Sequence, residues 1–349
     1  MIRTEQEQTQ ESVHTMNTQW SAFMQSRPAS AVQPTADACV LNDLSHFGLL
    51  RVSGEDAEGF LQGQMTNDMR EVTAGHSNLC GWCTAKGRML ASYRALRQGD
   101  DFLLQTPAGN MATSLKRLQM FVMRSKVTVT DASDELVRFG LTGNCAEALL
   151  QPHFTGLPDE INSVVEQNNL ILIRLSGEVP RFEIIGPVAE SISLWEALES
   201  GTTTGDSQYW ALQNIRAGIP TIFPETAEAF VPQMTNMQLV DGVSFTKGCY
   251  TGQEVVARMH YLGKLKRRMY LAHISGGLEP KPGDALYAAD SQSGQGAGKV
   301  VDAQAADGGF DLLVVIEVAN AENEKITLGE TGPALEIRNL PYEFTSESE

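Results

Sequence analysis

The eight residues Lys247-Gly-Cys-Tyr-Thr-Gly-Gln-Glu254 place a cation, a thiol, two glycines and a carboxylate within one short turn. Val255-Val-Ala-Arg-Met259 follows and reads as the start of a helix. Glu254 and Arg258 are spaced i,i+4 in the order that suits a helical ion pair. Cys249 then lies just ahead of a helix N-terminus, with Lys247 two residues away, and both features favour a thiolate because each sets positive potential near sulfur. Gly248 and Gly252 let the backbone turn sharply or approach a neighbour where a Cβ would clash. The alternative is a buried structural cysteine in a strand-to-helix turn.

Working outward, the stretch sits in a strongly acidic chain. The 349 residues exceed one typical domain, and 42% hydrophobic content is ample for more than one core. A net charge of -17 disfavours non-specific adhesion to nucleic acid or anionic lipid, so no stable nucleic-acid binding is expected. The charge is uneven: residues 240–270 carry six Lys/Arg against two Asp/Glu, whereas 271–349 carry four against fourteen. The cluster Lys264, Lys266, Arg267, Arg268 directly follows the cysteine stretch and reads either as a solvated loop or as a contact for a phosphate or polyglutamate tail. No run approaches the ~20 apolar residues of a membrane span, and no secretory signal is evident. The five cysteines are Cys39, Cys80, Cys83, Cys145 and Cys249; an odd, sparse set in a large chain argues for a reducing cytoplasm and against a disulfide framework.

Hydrophobic periodicity supplies the elements. Alternation around Phe47–Val52 suggests a strand, and the following stretch to Asp68 a helix with Phe60, Leu61 and Met65 on its apolar stripe. The segments around Cys80–Cys83 and Met89–Pro107 read as strands, the latter broken by a turn at Gly99-Asp-Asp101. Met111, Leu115, Leu118 and Val122 have helical spacing. Strands around 137–142, 170–175 and 181–186 and a helix around 188–199 continue a β-α-β-β-α-β rhythm over 98–205, which suggests a ferredoxin-like layer. Short glycine-broken strands from 266 to 345 suggest a small antiparallel barrel. Residues 1–37 read as a flexible polar tail, within which Met16, Trp20, Phe23 and Met24 have the makings of a short docking helix.

Other candidate motifs are weaker. Cys80-Gly-Trp-Cys83 falls in a strand, where i and i+3 face opposite ways, so it lacks the helix start a redox pair needs. Gly294–Lys299 fails as a phosphate loop at Ser293 and Val300. The six histidines are scattered, and no metal site is expected.

The run FTKGCYTGQEVVAR at 245–258 resembles the signature of the YgfZ family, folate-binding proteins similar to the glycine-cleavage T-protein. FLQGQMTNDM (60–69), CTAKGRMLASYRAL (83–96), SQYWALQNIRAGIP (207–220) and FVPQMTNMQ (230–238) match further blocks in order, and the resemblance spans about 38 to 345. It implies an α+β fold of three domains in a ring. The first is discontinuous, 38–97 plus 206–265; 98–205 is the ferredoxin-like insertion, and 266–349 the C-terminal β-barrel. It implies tetrahydrofolate or a related reduced folate as cofactor, held near Phe47 and Trp210, whose flat rings suit stacking. Asn67, Asp68, Tyr250, Gln253, Glu254 and Arg258 stand in the matching blocks as further folate contacts, although Asn67 and Asp68 equally suit capping their own helix. Cys249 is the expected functional thiol, with Lys247 its cation.

The implied role is maintenance of iron–sulfur proteins or their assembly factors, with tRNA modification as an indirect outcome. A folate-dependent one-carbon enzyme, an aminomethyltransferase or demethylase, is the alternative; a non-catalytic partner-binding protein is a third. Ala91 and Ser92 stand where T-proteins carry an aspartate implicated in aminomethyl transfer, and Arg216 stands where they carry a glutamate. A guanidinium only donates hydrogen bonds, so Arg216 cannot accept from a pterin edge as a carboxylate does.

Overall fold

The computed structural model describes residues 17–28, 38–288, 296–321 and 325–344. The architecture is α+β, with three sheets. The first holds β2 (Phe47–Ser53), β3 (Asn78–Cys83), β4 (Met89–Gln98), β5 (Asp101–Pro107) and β6 (Thr128–Asp131) in the order β3-β4-β5-β2-β6. The second holds β1 (Val40–Asp43), β7 (Val137–Thr142), β8 (Val164–Gln167), β9 (Leu170–Leu175), β10 (Arg181–Gly186) and β11 (Thr203–Gly205) in the order β11-β1-β7-β10-β9-β8. The third is a curled antiparallel sheet of β12 (Arg267–Ser275), β13 (Ala285–Tyr287), β14 (Gly298–Ala306), β15 (Gly309–Glu317), β16 (Thr327–Leu328) and β17 (Glu336–Arg338), ordered β16-β13-β14-β15-β12-β17. Its two end strands do not pair with each other among the described residues, so it is a half-barrel and not a closed one.

The helices are α1 (Thr18–Gln25), α2 (Ala57–Gln62), α3 (Met111–Val122), α4 (Ala146–Leu150), α5 (Val188–Glu199), α6 (Ser207–Arg216), α7 (Gln253–Leu262) and α8 (Val318–Ala321). None is long and apolar enough to cross a membrane. In α3 the helical spacing does what the sequence asks: Met111 and Leu118 are buried, with Leu115 and Val122 packed against the same core of the first sheet. The continuous apolar runs of β9 and β10 are covered on both faces. Phe182 and Ile184 turn toward α5, while Ile171, Ile173 and Ile185 meet Leu49, Leu96 and Leu103 of the first sheet. Trp210 of α6 belongs to this inter-sheet core.

Sheet membership moves the expected boundaries. A cut at 97/98 falls in the β4–β5 hairpin, because the turn at Gly99 returns the chain to the same sheet, Gln98 pairing Asp101. Residues 101–131 therefore belong with 47–98, while β1 joins the second sheet beside β7. The distant stretches around 60–90 and 226–251 do meet: Met89 N donates to Phe230 O (2.8 Å), Ser244 N to Thr66 O (3.0 Å) and Thr251 N to Gly63 O (3.2 Å).

Two further expectations need correction. Within the 1–37 tail, residues 18–25 form α1, capped by Asn17, whose side chain accepts from Gln19 N and Trp20 N; residues 1–16 and 29–37, Met16 among them, lie outside the described residues. Trp20 is fully buried against Phe139 and Trp195, and its indole N–H donates to Asp43 Oδ1 (2.8 Å). Burial on this scale contributes roughly 2–3 kcal/mol, enough to fix a two-turn helix that is marginal alone. Cysteine pairing was not expected, yet Cys39 and Cys145 form a disulfide across 106 residues, joining the segment before β1 to the cap of α4. The Gly294–Lys299 turn lies partly outside the described residues.

Candidate functional site

A narrow cleft with a cavity volume of about 70 Å³, partly open to solvent, lies where the first two sheets and α6 meet. Phe47 at the start of β2 and Trp210 of α6 line it, together with Ser92 and Arg94 of β4, Gln105 of β5, Glu183 of β10 and Asn214 of α6. Asp206 caps α6 by accepting from Tyr209 N (2.8 Å), which fixes the helix that carries Trp210 and Asn214. Trp210 lies directly on β7 at Gly140, where an added Cβ would come within 2.2 Å of the ring. The Arg181 guanidinium covers Trp210 at 4.4 Å from the ring centroid and donates to Asn214 Oδ1 at 2.7 Å.

Glu183 is the residue sequence reasoning missed. Its carboxyl is 2% exposed, lines the cleft, and has Oε1 without a hydrogen-bond partner among the described residues. Gln105 Oε1, also lining the cleft, is unpartnered as well. Burial pushes the Glu183 carboxyl up, opposed by the charges of Arg94, Arg138 and Arg181 and by Gln105. Burial pushes all three guanidiniums down, and Glu183 holds each of them up. Arg94, which lines the cleft, donates from Nη1 to Asn162 Oδ1 (2.8 Å) and Ser77 Oγ (3.1 Å). The one available signal was a lone acidic residue in the apolar run RFEIIG, a buried polar position that needs a reason.

The other expected folate contacts do not line this cleft. Asn67 donates to Leu79 O and Asp241 O, joining the two distant stretches. Asp68 caps the 3₁₀ turn Met69–Glu71 and binds Arg70 and Gln62, which holds its carboxyl down at about 2, Arg70 first. Gln253, Glu254 and Arg258 lie on α7, where no ion pair joins Glu254 to Arg258 among the described residues. Arg216 faces the third sheet, its Nε donating to Asp311 Oδ2 at 3.0 Å. The basic cluster is likewise divided: Arg267 donates to Gly296 O (2.7 Å), and Arg268 stacks over Phe344.

The Lys247–Glu254 turn resolves into inward and outward groups. Lys247 Nζ donates to the carbonyls of Gln62 (2.9 Å), Met65 (2.6 Å) and Asn67 (2.7 Å), just past the C-terminus of α2. No hydrogen bond joins it to Cys249 among the described residues; the expected cation for the thiol is instead a brace for the 62–67 loop. Burial pushes the Lys247 ammonium down to about 8, with the nearby Cys80 and Asp68 opposing. Tyr250 is buried, its ring 5.1 Å from that ammonium. Gly252 has φ +87°, and a Cβ there would meet Thr84 O at 2.4 Å, so this glycine is required by both conformation and space. Gly248, by contrast, has open space around it. Cys249 is left exposed, whereas Cys80 and Cys83 are buried and burial pushes both their thiols up to about 12.

Residues 10–216 match the GCVT N-terminal domain. Over most of the chain, the tRNA-modifying protein YgfZ of Colwellia psychrerythraea is 33% identical over 308 residues, covering 88% of this chain and 94% of that protein. The chain belongs to the YgfZ family. The Serratia proteamaculans YgfZ is 32% identical over 320 residues, covering 90% and 97%. The glycine cleavage system aminomethyltransferase T of Bartonella henselae shares the fold, with a TM-score of 0.67 over 88% of this chain and 87% of that one at 19% identity. The YgfZ signature turn and the cleft are thus separate features of one T-protein-like fold.

Proposed function

We propose that the chain binds a reduced folate in the cleft between Phe47, Trp210 and Glu183, and that it supports iron–sulfur enzymes, and through them tRNA modification, by way of the Cys249 thiol. The observation that carries the folate reading is the pair of buried, unpartnered acceptors, Glu183 Oε1 and Gln105 Oε1, beside flat apolar walls. A pterin offers what these groups lack: a planar ring with adjacent N–H donors. Glu183 would accept from that edge in the capacity that Arg216 cannot fill. Folate, when bound, supplies one-carbon or pterin redox chemistry; this chain's residues bind and orient it.

The printed names of the relatives favour the tRNA-modification reading. The exposure of Cys249 at the end of an internally braced turn favours it as the group that meets a partner. Aminomethyl transfer is the weaker reading. Ser92 Oγ, at the position without the carboxylate, accepts from Ile222 N at 3.0 Å, a structural role.

Titration of the protein with tetrahydrofolate should quench Trp210 fluorescence, and Trp210→Ala should lose both the signal and the affinity. Unchanged affinity in Trp210→Ala would refute the cleft. In cells lacking the protein, Cys249→Ala should fold yet fail to restore iron–sulfur enzyme activity, while Cys80→Ala should restore it. Turnover with the aminomethylated lipoyl carrier would favour the one-carbon enzyme instead.

A further inference from the structure

A second cavity adjoins the cleft, with Phe47, Pro107, Asn214 and Thr221 lining both. It has a cavity volume of about 310 Å³, is partly open to solvent, and is closed on one side by β14 of the third sheet. Asp302 lines it from β14 just past an irregularity, where the register shifts at Val301 and the ladder resumes with Asp302 opposite Leu313.

Asp302 is 2% exposed, and among the described residues its one hydrogen bond is Oδ1 accepting from Ala303 N at 2.8 Å. Among the described residues no Lys or Arg lines the cavity, and Glu225 adds a second carboxylate. A buried carboxylate with a single backbone donor is expensive to ionise unless a cation joins it. Burial accordingly pushes the Asp302 carboxyl up to about 7. His46 lines the same cavity with both ring nitrogens buried and unpartnered. Burial and then Arg138 push it down to about 4, so at neutral pH it is an uncharged imidazole with one donor and one acceptor. Phe47, Pro107, Phe223 and Pro224 supply apolar wall.

We propose that this cavity binds a small organic cation, a primary or secondary ammonium on an apolar or aromatic body, with Asp302 as counter-ion and the uncharged His46 ring as part of the wall. The geometry excludes an anion: a carboxylate placed here would meet Asp302 and Glu225 with no cation in the lining. The proposal stands independently of the folate reading, because it uses a different set of polar groups and is tested without folate.

The full chain is titrated with benzylamine, benzyl alcohol and benzoate, with binding read by calorimetry and by ligand-observed NMR. Benzylamine should bind at least about tenfold more tightly than benzyl alcohol, with benzoate showing no binding, as expected for a charge-assisted pair in a buried site. Asp302→Asn, which keeps the side-chain shape, should bring benzylamine to the affinity of the alcohol. Ala211→Leu, filling the cavity from α6, should weaken both. Thermal melts confirm that each variant is folded. Equal affinity for amine and alcohol, or unchanged benzylamine affinity in Asp302→Asn, would overturn the proposal and leave a cavity that holds only water.

Discussion

Lys247 and the pair Glu183 and Asp302 are all buried charges, yet their surroundings differ. Lys247 has three carbonyl acceptors within 2.9 Å, so its side chain is complete without any ligand. Glu183 has an oxygen with no partner in one cavity, and Asp302 has only its neighbour's amide in the next. A satisfied buried ion is a structural brace; an unsatisfied one beside a cavity is where the proposed ligands would find a complement. The lesson reverses the first impression from sequence. The cation inside the signature turn serves the fold, and the proposed sites rest on carboxylates hidden in strands.

The comparison breaks most visibly at Asp302. Its folded-state value of about 7 lies above its ordinary 3.8, so between those pH values the folded state holds a proton the unfolded chain has released. Stability therefore falls as pH rises through that window, and the full penalty is present above pH 7. Asp302→Asn removes it and should raise unfolding free energy by up to about 4 kcal/mol at pH 8, with little effect at pH 4. Denaturant melts at the two pH values check this; a gain of equal size at both would show that ionisation is not the cause.

Lys247→Met is expected to act in the opposite direction, costing about 3 kcal/mol because three buried carbonyls lose a charged donor together. If the loss were below about 0.5 kcal/mol, the typical surface value, the brace would be incidental. Glu183→Gln should alter binding more than folding, weakening tetrahydrofolate about 10- to 100-fold through loss of a charged acceptor. Equal binding by calorimetry would place the pterin elsewhere. Cys249→Ala should change stability least, within about 0.5 kcal/mol, because the thiol is exposed and has no role in packing. Its effect belongs in the complementation assay, and a large loss of melting temperature would instead make Cys249 structural.

Much of the scaffold is legible in the residues alone. The spacing of Met111, Leu115, Leu118 and Val122 fixes α3, and the turn at Gly99 fixes the β4–β5 hairpin, because local periodicity and turn chemistry act over a few residues. The aromatic half of the cleft, Phe47 and Trp210, was legible through the family blocks. Glu183 was not, since a two-residue repeat tells which strand residues share a face but not whether the facing layer is solvent, core or a cavity. The docking of Trp20 was only half visible: its amphipathic neighbours predict a helix, but the socket comes from Phe139 and Trp195, more than 110 residues away.

By itself, then, the sequence determined the elements, the YgfZ kinship and the turn that exposes Cys249, because each depends on short-range pattern. The pairing of Cys39 with Cys145, the inward course of Lys247, and the meeting of Glu183 with Trp210 and of Asp302 with His46 were decided only by tertiary structure. Each joins residues from different sheets or distant strands, and burial, partners and cavities exist only once those layers have packed.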